Sequence, residues 1–163
     1  MKKTDGIPGK IFTLPQLLKQ LAHWKLKSKT IAFTNGVFDI LHQGHIFSLS
    51  QAAKEADYLI VGLNTDASVK RLKGDCRPVN NEQSRALILA SLLMVDAVIL
   101  FEKDTPIELI KAILPDVLVK GGDYTVEQIA GAREVIENGG KVVINPILQG
   151  FSTTGIIQQS NKS

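Results

Sequence analysis

The chain has 163 residues, of which 44% are hydrophobic and 21% are charged. This length suits one domain with one core, and the near-average composition excludes disorder of the whole chain. The formal net charge is +3, but the basic residues are scattered and aromatic residues make up only 6%. Because nucleic-acid binding favours a basic stripe, often with stacking aromatics, we expect no nucleic-acid partner.

The cysteine content and the N-terminus indicate a reduced compartment. Cys76 is the only cysteine, so the sequence can form neither an internal disulfide nor a cysteine-rich zinc site. The first residues are charged and are followed by Gly6 and Pro8 instead of the apolar stretch of a signal peptide. No apolar run approaches the ~20 residues of a membrane span. We therefore expect a soluble, cytoplasmic protein with no membrane partner.

Apolar runs alternate with helical patterns along the chain. A first helix follows Thr13, a typical N-cap, and carries its apolar residues at three- and four-residue intervals as far as Trp24. Further helices are predicted at 44–56, 82–93, 105–114 and 126–137, with a short one after Ser152. Strands are predicted at 30–34, 58–63, 97–101, 117–119 and 141–144. The polar segment 64–81 is predicted to be mostly a loop with one helical turn.

Continuous apolar strands that alternate with helices are typical of a parallel sheet covered on both faces. The sequence therefore predicts an α/β fold with a Rossmann-like open parallel sheet and helices on both faces. It contains no linker and no repeat, so we expect a single domain over 1–163.

The loop after the first predicted strand carries the clearest chemical pattern. Ligands of open parallel sheets bind at the carboxyl ends of the strands, and this loop ends in His42-Gln43-Gly44-His45 at the start of a helix. A helix N-terminus offers free N–H groups to a phosphate, and Gly44 leaves room for its approach. A lone histidine is more often a core or capping residue, but two histidines flanking a glycine here favour a phosphate site.

These residues carry a family resemblance. His42-Gln43-Gly44-His45 matches the HxGH signature of the cytidylyltransferase-like nucleotidyltransferases, and 34–39 matches the stretch that precedes it. The segments 64–75, 77–80, 114–124 and 150–154 are similar to the adenylyltransferase domain that makes ADP-heptose. In many bacteria that domain is fused behind a sugar kinase. There is no room for a kinase in this sequence, so we expect the stand-alone form.

The resemblance implies a reaction and its partners. ATP and D-glycero-D-manno-heptose 1-phosphate would give ADP-heptose and pyrophosphate by direct in-line attack on the α-phosphorus. The product would feed heptose-containing glycans such as the lipopolysaccharide core. Mg²⁺ is expected as the ATP complex, with no metal site built from protein ligands alone. Relatives with this fold are commonly dimers or larger, so we expect a homo-oligomer.

The residues expected at the site fall into three groups. The catalytic residues would be His42, His45 and Lys73. The nucleotide-binding residues would be Thr34, Asn35, Gly36, Phe38, Gly44, Lys120, Gly122, Asp123, Ser152, Thr153 and Thr154. The substrate-binding residues would be Asn64, Asp66 and Arg77. Many family members carry an arginine where this chain has Ile157, so the charge that holds the triphosphate is expected from Lys73, Arg85 or Mg²⁺.

Three other functions remain open from the residues alone. A CTP-dependent enzyme acting on glycerol 3-phosphate or a similar alcohol phosphate would use the same chemistry. A nucleotide-sensing module would bind without turnover, although the intact histidine pair disfavours it. A class I synthetase also has paired histidines, but the chain is too short and has no KMSKS-type loop. Walker and GxGxxG patterns are absent from the sequence, which disfavours P-loop kinases and dinucleotide enzymes.

Overall fold

A single six-stranded sheet organises the computed structural model, which describes residues 4–122, 124–148 and 150–160. The strands are β1 Ile11–Phe12, β2 Ile31–Gly36, β3 Tyr58–Asn64, β4 Ala97–Phe101, β5 Val117–Gly121 and β6 Lys141–Asn145. They lie in the order β1-β4-β3-β2-β5-β6, and each neighbouring pair is parallel. The predicted open parallel sheet is therefore confirmed.

Helices connect the strands. They are α1 Leu14–Leu26, α2 Gln43–Ala53, α3 Asp66–Lys73, α4 Glu82–Ser91, α5 Ile107–Ile113, α6 Ala132–Glu137 and α7 Thr153–Ser160. Single 3-10 turns lie at Thr4–Gly6, Pro8–Lys10 and Val126–Gln128. The predicted start of α1 is confirmed, since Thr13 precedes it and its backbone N–H donates to Gln16 Oε1 at 2.9 Å. No helix in the described part of the chain is long and apolar enough to cross a membrane.

The two faces of the sheet are covered by two separate apolar clusters. The first includes residues of α1, α5 and α6, among them Leu17, Ile110 and Val135. The second includes residues of α2 and α4, such as Leu49 and Leu89. Helices therefore lie on both faces, as the sequence predicts.

The alternation of side chains along a strand decides which face each site residue can reach. In β2, Phe33 belongs to the first cluster and Ala32 to the second. Because successive side chains point to opposite faces, Asn35 follows Phe33 onto the α5 face. In β5, Leu118 belongs to the first cluster, so Lys120 also lies on the α5 face.

The sheet reverses its direction of winding at β2. This strand pairs with β3 on one side and with β5 on the other. The helix between β2 and β3 covers one face, whereas the helix before β5 covers the opposite face. In such sheets the connections diverge at the switch point and leave a crevice beyond the strand ends. The crevice of this fold therefore lies at the carboxyl ends of β2 and β5.

The prediction for the segment 64–81 was wrong in part. Instead of one helical turn, the chain forms α3 from Asp66 to Lys73, which is two turns long. Thr65 caps this helix, since its Oγ1 accepts the Ser68 N–H at 3.3 Å. Much of the helix is exposed and its residues are largely polar. It therefore lacks the apolar periodicity by which a helix is predicted from sequence.

Two further differences have local causes. The predicted helix at 126–137 is broken at Gly131, whose φ is +86°, so that a 3-10 turn precedes α6. Strand β1 was not predicted because it is only two residues long and pairs with Val98 and Ile99. A strand of two residues is too short to show a periodic pattern in the sequence.

Candidate active site

The two histidines lie side by side where β2 leads into α2. His42 is the N-cap residue with extended backbone, and His45 lies in the first turn, its N–H donating to the His42 carbonyl at 2.9 Å. Their rings stack with centroids 3.9 Å apart and planes 24° apart. The ring of Phe38 packs against His45 at 5.3 Å. This stacking holds both imidazoles in one orientation at the helix N-terminus.

Burial keeps both imidazoles neutral. It lowers the pKa of His42, and it is also the largest cause that lowers the pKa of His45 to about 4. Repulsion by Lys73, and by His42 when it carries a proton, lowers the pKa of His45 further, and the main chain of Ile40 partly opposes this shift. The Nδ1 atoms of both rings are buried and have no hydrogen-bond partner among the described residues. Because buried polar atoms are normally paired, these two atoms indicate a site built for a ligand.

The histidines open into a cavity of about 350 Å³. We call it the histidine cavity; its lining includes His42, Gly44, His45, Ser48, Lys73, Gly121, Phe151, Ser152, Thr153 and Thr154. It combines two neutral imidazoles, one ammonium group and four hydroxyls. Hydroxyls and ammonium groups are suited to phosphate oxygens. The structure thus brings all three predicted catalytic residues together with the hydroxyl residues that precede and begin α7.

Gly44 leaves room for the ring of His42, which lies against its backbone. A Cβ atom at this position would lie 3.1 Å from the His42 ring and 3.3 Å from Phe151 Cβ. The sequence predicts that this glycine leaves space for a triphosphate. The structure adds that any side chain here would press on the stacked histidine ring.

A second cavity, of about 210 Å³, opens on the α5 face of the sheet. We call it the lysine cavity; it is lined by Asn35, Asp104, Thr105, Pro106, Lys120, Tyr124, Gln128, Ile129 and Ala130. The Lys120 ammonium group donates to Asn35 Oδ1 at 3.2 Å. Burial lowers the pKa of Lys120. Two predicted nucleotide-binding residues, Asn35 and Lys120, therefore lie together, but on the opposite face of the sheet from the histidine cavity.

The remaining nucleotide-binding candidates are backbone positions or buried side chains. A Cβ atom on Gly36 would lie 2.9 Å from the Phe38 ring, and Phe38 itself is buried with a φ of +46°. Thr34 is also buried. Gly122 has a φ of +131°, and a Cβ there would meet the Tyr124 ring at 2.8 Å. Asp123 lies outside the described residues.

The three predicted substrate-binding residues are engaged by other side chains. Arg77 Nε donates to Asp39 Oδ2 at 2.7 Å. Asp66 accepts a hydrogen bond from Arg85 at 2.6 Å. Asn64 Nδ2 donates to Ser68 Oγ at 2.9 Å. None of the three lines the histidine or the lysine cavity.

Asp39 is a buried residue to which the sequence pattern assigns no role. Burial raises the pKa of its carboxyl, but the N–H groups of Asn80 and Val79 and the Arg77 guanidinium outweigh this and lower the pKa. Its carboxylate accepts from the Val79 N–H and from the Asn80 N–H, each at 2.9 Å. Asp39 thereby fastens the segment after α3 to the loop after β2.

Arg85 fixes the same loop from α4. Its side chain is fully buried and donates to the carbonyls of Val37 at 2.7 Å and Asn80 at 2.9 Å. Of the two basic side chains that the sequence offers for the triphosphate, Lys73 lines the histidine cavity and Arg85 does not. Ser48 and Phe151 also line this cavity and were not singled out, because a serine in mid-helix and one exposed aromatic carry no distinctive pattern.

The fold and the histidine pair together define a class, the nucleotidyltransferases. Residues 33–159 match the cytidylyltransferase-like family, and the chain belongs to that family. The resemblance seen in the HxGH residues is thereby confirmed.

Similar curated proteins include the bifunctional protein HldE of Caulobacter vibrioides, 54% identical over 159 residues. HldE of Hyphomonas neptunium is 53% identical over 157 residues. The matches cover 96% and 95% of this chain but 33% and 32% of the relatives. The chain therefore spans about one third of the length of these proteins.

Solved structures show the same fold. A lipopolysaccharide core biosynthesis protein from Thermoplasma volcanium aligns with a TM-score of 0.58 at 30% identity, covering 74% of this chain and 97% of that one. Pantoate-beta-alanine ligase from Francisella tularensis aligns with a TM-score of 0.59, covering 93% of this chain and 76% of that one. At 18% identity the second likeness concerns the fold alone.

Proposed function

We propose that this protein transfers AMP from ATP to D-glycero-D-manno-heptose 1-phosphate, giving ADP-heptose and pyrophosphate. The observation that carries the transfer chemistry is the histidine cavity, which is lined by two histidines with buried, unpaired Nδ1 atoms, by Lys73 and by four hydroxyl residues. The choice of ATP and heptose rests on the similarity to HldE proteins and on the ADP-heptose-type segments of the sequence. One sheet with all six strands supports a single catalytic domain over 1–163.

The transfer needs positioning and charge stabilisation, not a protein nucleophile. A phosphate oxygen of the sugar 1-phosphate attacks the α-phosphorus, and the bond to the β-phosphate oxygen breaks as pyrophosphate leaves with the electron pair. Such a transfer is accelerated mainly by donors aimed at the charge that develops on the leaving group. His42, His45, Lys73 and the hydroxyls of Ser152–Thr154 would supply these donors.

Mg²⁺ would reach the site with the triphosphate. The described residues contain no group of three or more histidine, cysteine, aspartate or glutamate side chains that could hold a metal ion. The donors of the histidine cavity are imidazoles, hydroxyls and an ammonium group, which suit phosphate oxygens better than a bare Mg²⁺. The bound metal would neutralise part of the triphosphate charge. The side chains of this chain then act on the phosphates directly.

Lys73 would supply positive charge that many family members take from an arginine at the position of Ile157. Lys73 ends α3 and reaches the histidine cavity, and its charge is felt at the His45 ring. The N–H groups of Thr153 and Thr154, in the first turn of α7, would add donors beside the hydroxyls. A homo-oligomer stays a prediction.

One alternative has support from the family description. A cytidylyltransferase acting on glycerol 3-phosphate would use the same cavity with CTP, and the family takes its name from that base. Nothing in the spacing of the histidines distinguishes the two bases.

The first test is pyrophosphate release with Mg²⁺ for ATP and CTP, each combined with heptose 1-phosphate and with glycerol 3-phosphate. Release with ATP and heptose 1-phosphate alone is the expected result. Release with CTP and glycerol 3-phosphate would retain the mechanism and replace the substrates. Nucleotide binding without release in all four reactions would favour a sensing module.

The assigned task of the histidine pair has its own test. We expect His45→Ala to lower kcat by about two orders of magnitude or more, the scale for losing one preorganised donor. The matched control is His23→Ala, which removes an exposed histidine of α1 and should leave kcat unchanged. Near-normal turnover of His45→Ala would show that the pair does not act on the leaving group.

A further inference from the structure

The two cavities approach the same strand ends from opposite faces of the sheet. Asn35 of β2 and Lys120 of β5 line the lysine cavity. Gly121, the next residue of β5, lines the histidine cavity. Since neighbouring strand residues point to opposite faces, the two cavities are separated by little more than the ends of these strands.

Glycines form the boundary between the cavities. A Cβ atom on Gly121 would lie 3.2 Å from Ser48 Oγ, a residue of the histidine cavity. A Cβ atom on Gly122 would lie 2.8 Å from the ring of Tyr124, a residue of the lysine cavity. At these two consecutive residues the backbone therefore lies close against one lining residue of each cavity.

The lysine cavity has the chemistry of an anion site. Lys120 is partly buried and makes one hydrogen bond, to the neutral amide of Asn35. Within residues 4–122, 124–148 and 150–160 no carboxylate lies within salt-bridge distance of it. Asp104, the carboxylate on the rim, pairs with Arg71 at 3.0 Å. A partly desolvated ammonium group whose one partner among the described residues is neutral is suited to an incoming anion.

We propose that the lysine cavity binds the acceptor, and that Lys120 holds the phosphate monoester of the attacking sugar 1-phosphate. This inference rests on the proposed function, and it assigns Lys120 to the acceptor instead of the nucleotide contact that the sequence predicts. The sugar hydroxyls would meet polar groups of Asn35, Thr105 and Gln128, which line the same cavity.

The reaction geometry agrees with this assignment. In-line displacement requires the attacking and leaving oxygens on opposite sides of the α-phosphorus. Pyrophosphate would leave into the histidine cavity, so the nucleophile must approach from the other side. The acceptor oxygen forms the new bond to the α-phosphorus while the bond to the β-phosphate oxygen breaks. Because the attacking group is a phosphate oxygen, no proton has to be removed from it.

The test compares Lys120→Met with the matched control Lys103→Met. Lys103 is an exposed lysine two residues from Thr105 and does not line the lysine cavity. For Lys120→Met we expect the KM of heptose 1-phosphate to rise about 10- to 100-fold, the scale for one charge-assisted contact. The Kd of Mg²⁺-α,β-methylene-ATP, measured by titration calorimetry, should stay within about two-fold of wild type. The control should leave both constants unchanged.

Two results would overturn the inference in an active wild-type enzyme. One is an unchanged KM for the acceptor in Lys120→Met. The other is a loss of affinity for the ATP analogue with no acceptor effect, which would return Lys120 to the nucleotide. Lys120→Arg keeps the positive charge and should recover most of the acceptor affinity if Lys120→Met folds poorly.

A failure of the proposed function gives a different pattern. In that case wild-type protein would release no pyrophosphate from ATP and heptose 1-phosphate. Binding of heptose 1-phosphate and of inorganic phosphate to the complex with the ATP analogue is then measured by calorimetry. Binding that Lys120→Met abolishes would support the lysine cavity as an acceptor site, and absence of binding to wild type would overturn it.

Discussion

At the scale of single residues, burial of the two histidines sets the protonation of the site. Burial lowers the pKa of both His42 and His45, the second to about 4, so both rings are neutral near pH 7. A triphosphate bound beside them brings negative charge, which favours the protonated form of an imidazole. Nucleotide binding should therefore raise these pKa values and draw a proton into the site.

Proton uptake on binding follows from this shift. At pH 6 the free His45 ring is neutral, and we expect Mg²⁺-α,β-methylene-ATP to bind with uptake of a fraction of a proton. The measurement is calorimetry in buffers of different ionisation enthalpy, where the apparent binding enthalpy should change with the buffer. His45→Gln should reduce this dependence, whereas His23→Gln should not. A wild-type enthalpy that is the same in all buffers would contradict the prediction.

The lowered pKa of His45 also determines how the free energy of unfolding changes with pH. Between pH about 6.5 and about 4 the unfolded chain binds a proton at His45 and the folded chain does not. The contribution of His45 to the free energy of unfolding is therefore present above pH about 6.5 and is lost as the pH falls towards about 4. Bound nucleotide should reduce this loss, because it allows the folded protein to take up the proton.

At the scale of elements, the loop after β2 is held in place by residues from the chain beyond α3. Asp39 accepts N–H groups of Val79 and Asn80, and Arg85 of α4 donates to the Val37 carbonyl. These contacts join residues that are 40 to 48 positions apart in the sequence. The backbone that leads to the histidine pair is thus positioned by α4 and the segment before it.

Removing Arg85 tests this bracing. Arg85→Met would leave the carbonyls of Val37 and Asn80 and the carboxylate of Asp66 without this donor. We expect the free energy of unfolding to fall by about 3 kcal/mol, the scale for breaking a buried ion pair by removing one partner. Urea denaturation followed by circular dichroism measures it.

A surface arginine provides the comparison. Arg133→Met breaks an exposed pair with Glu137, in which the Arg133 side chain is 83% exposed, and should leave the unfolding curve unchanged. If Arg85→Met were as stable as this variant, the buried contacts would not hold the loop.

At the scale of the whole molecule, the two apolar clusters are packed against a sheet that tolerates little extra volume. Gly62 lies in the middle of β3, where a Cβ atom would come 2.7 Å from Phe33 Cζ. Phe33 is fully buried in the cluster on the α5 face. The glycine therefore lets a large ring lie across the centre of the sheet.

Adding one methyl group here should strain the entire α5 face. We expect Gly62→Ala to lower the free energy of unfolding by about 1–3 kcal/mol, the usual cost of overpacking a core. Gly9→Ala is the control, since a Cβ there meets no described atom within 4 Å. Equal midpoints in chemical denaturation for the two variants would show that the core rearranges around the new methyl group.

Much of the fold could be predicted from the sequence because its signals are local. The strand at Ala97–Phe101 is a continuous apolar run, and the helix after Thr13 carries its own cap. His42 and His45 were recognisable because three residues of spacing at a strand-to-helix junction place both at one helix N-terminus. The length of helix α3 was not predicted because the helix is polar and mostly exposed.

Only the tertiary structure decided which distant residues meet. Lys73 and Arg77 lie four residues apart in the sequence, yet the first lines the histidine cavity and the second pairs with the buried Asp39. Asp66, predicted to contact substrate, pairs with Arg85 of the next helix. Such partners depend on how elements pack, which no local pattern of residues encodes.

The sequence by itself determined the order of the elements, the HxGH pair and the membership of a nucleotidyltransferase family, because these depend on neighbours along the chain. The sheet order and the strand register decided the rest. They place Lys120 on one face and Gly121 on the other. They also bring β2 beside β5, so that Lys120 contacts Asn35 across 85 residues of sequence. Two cavities on opposite faces of one sheet edge are a consequence of that packing.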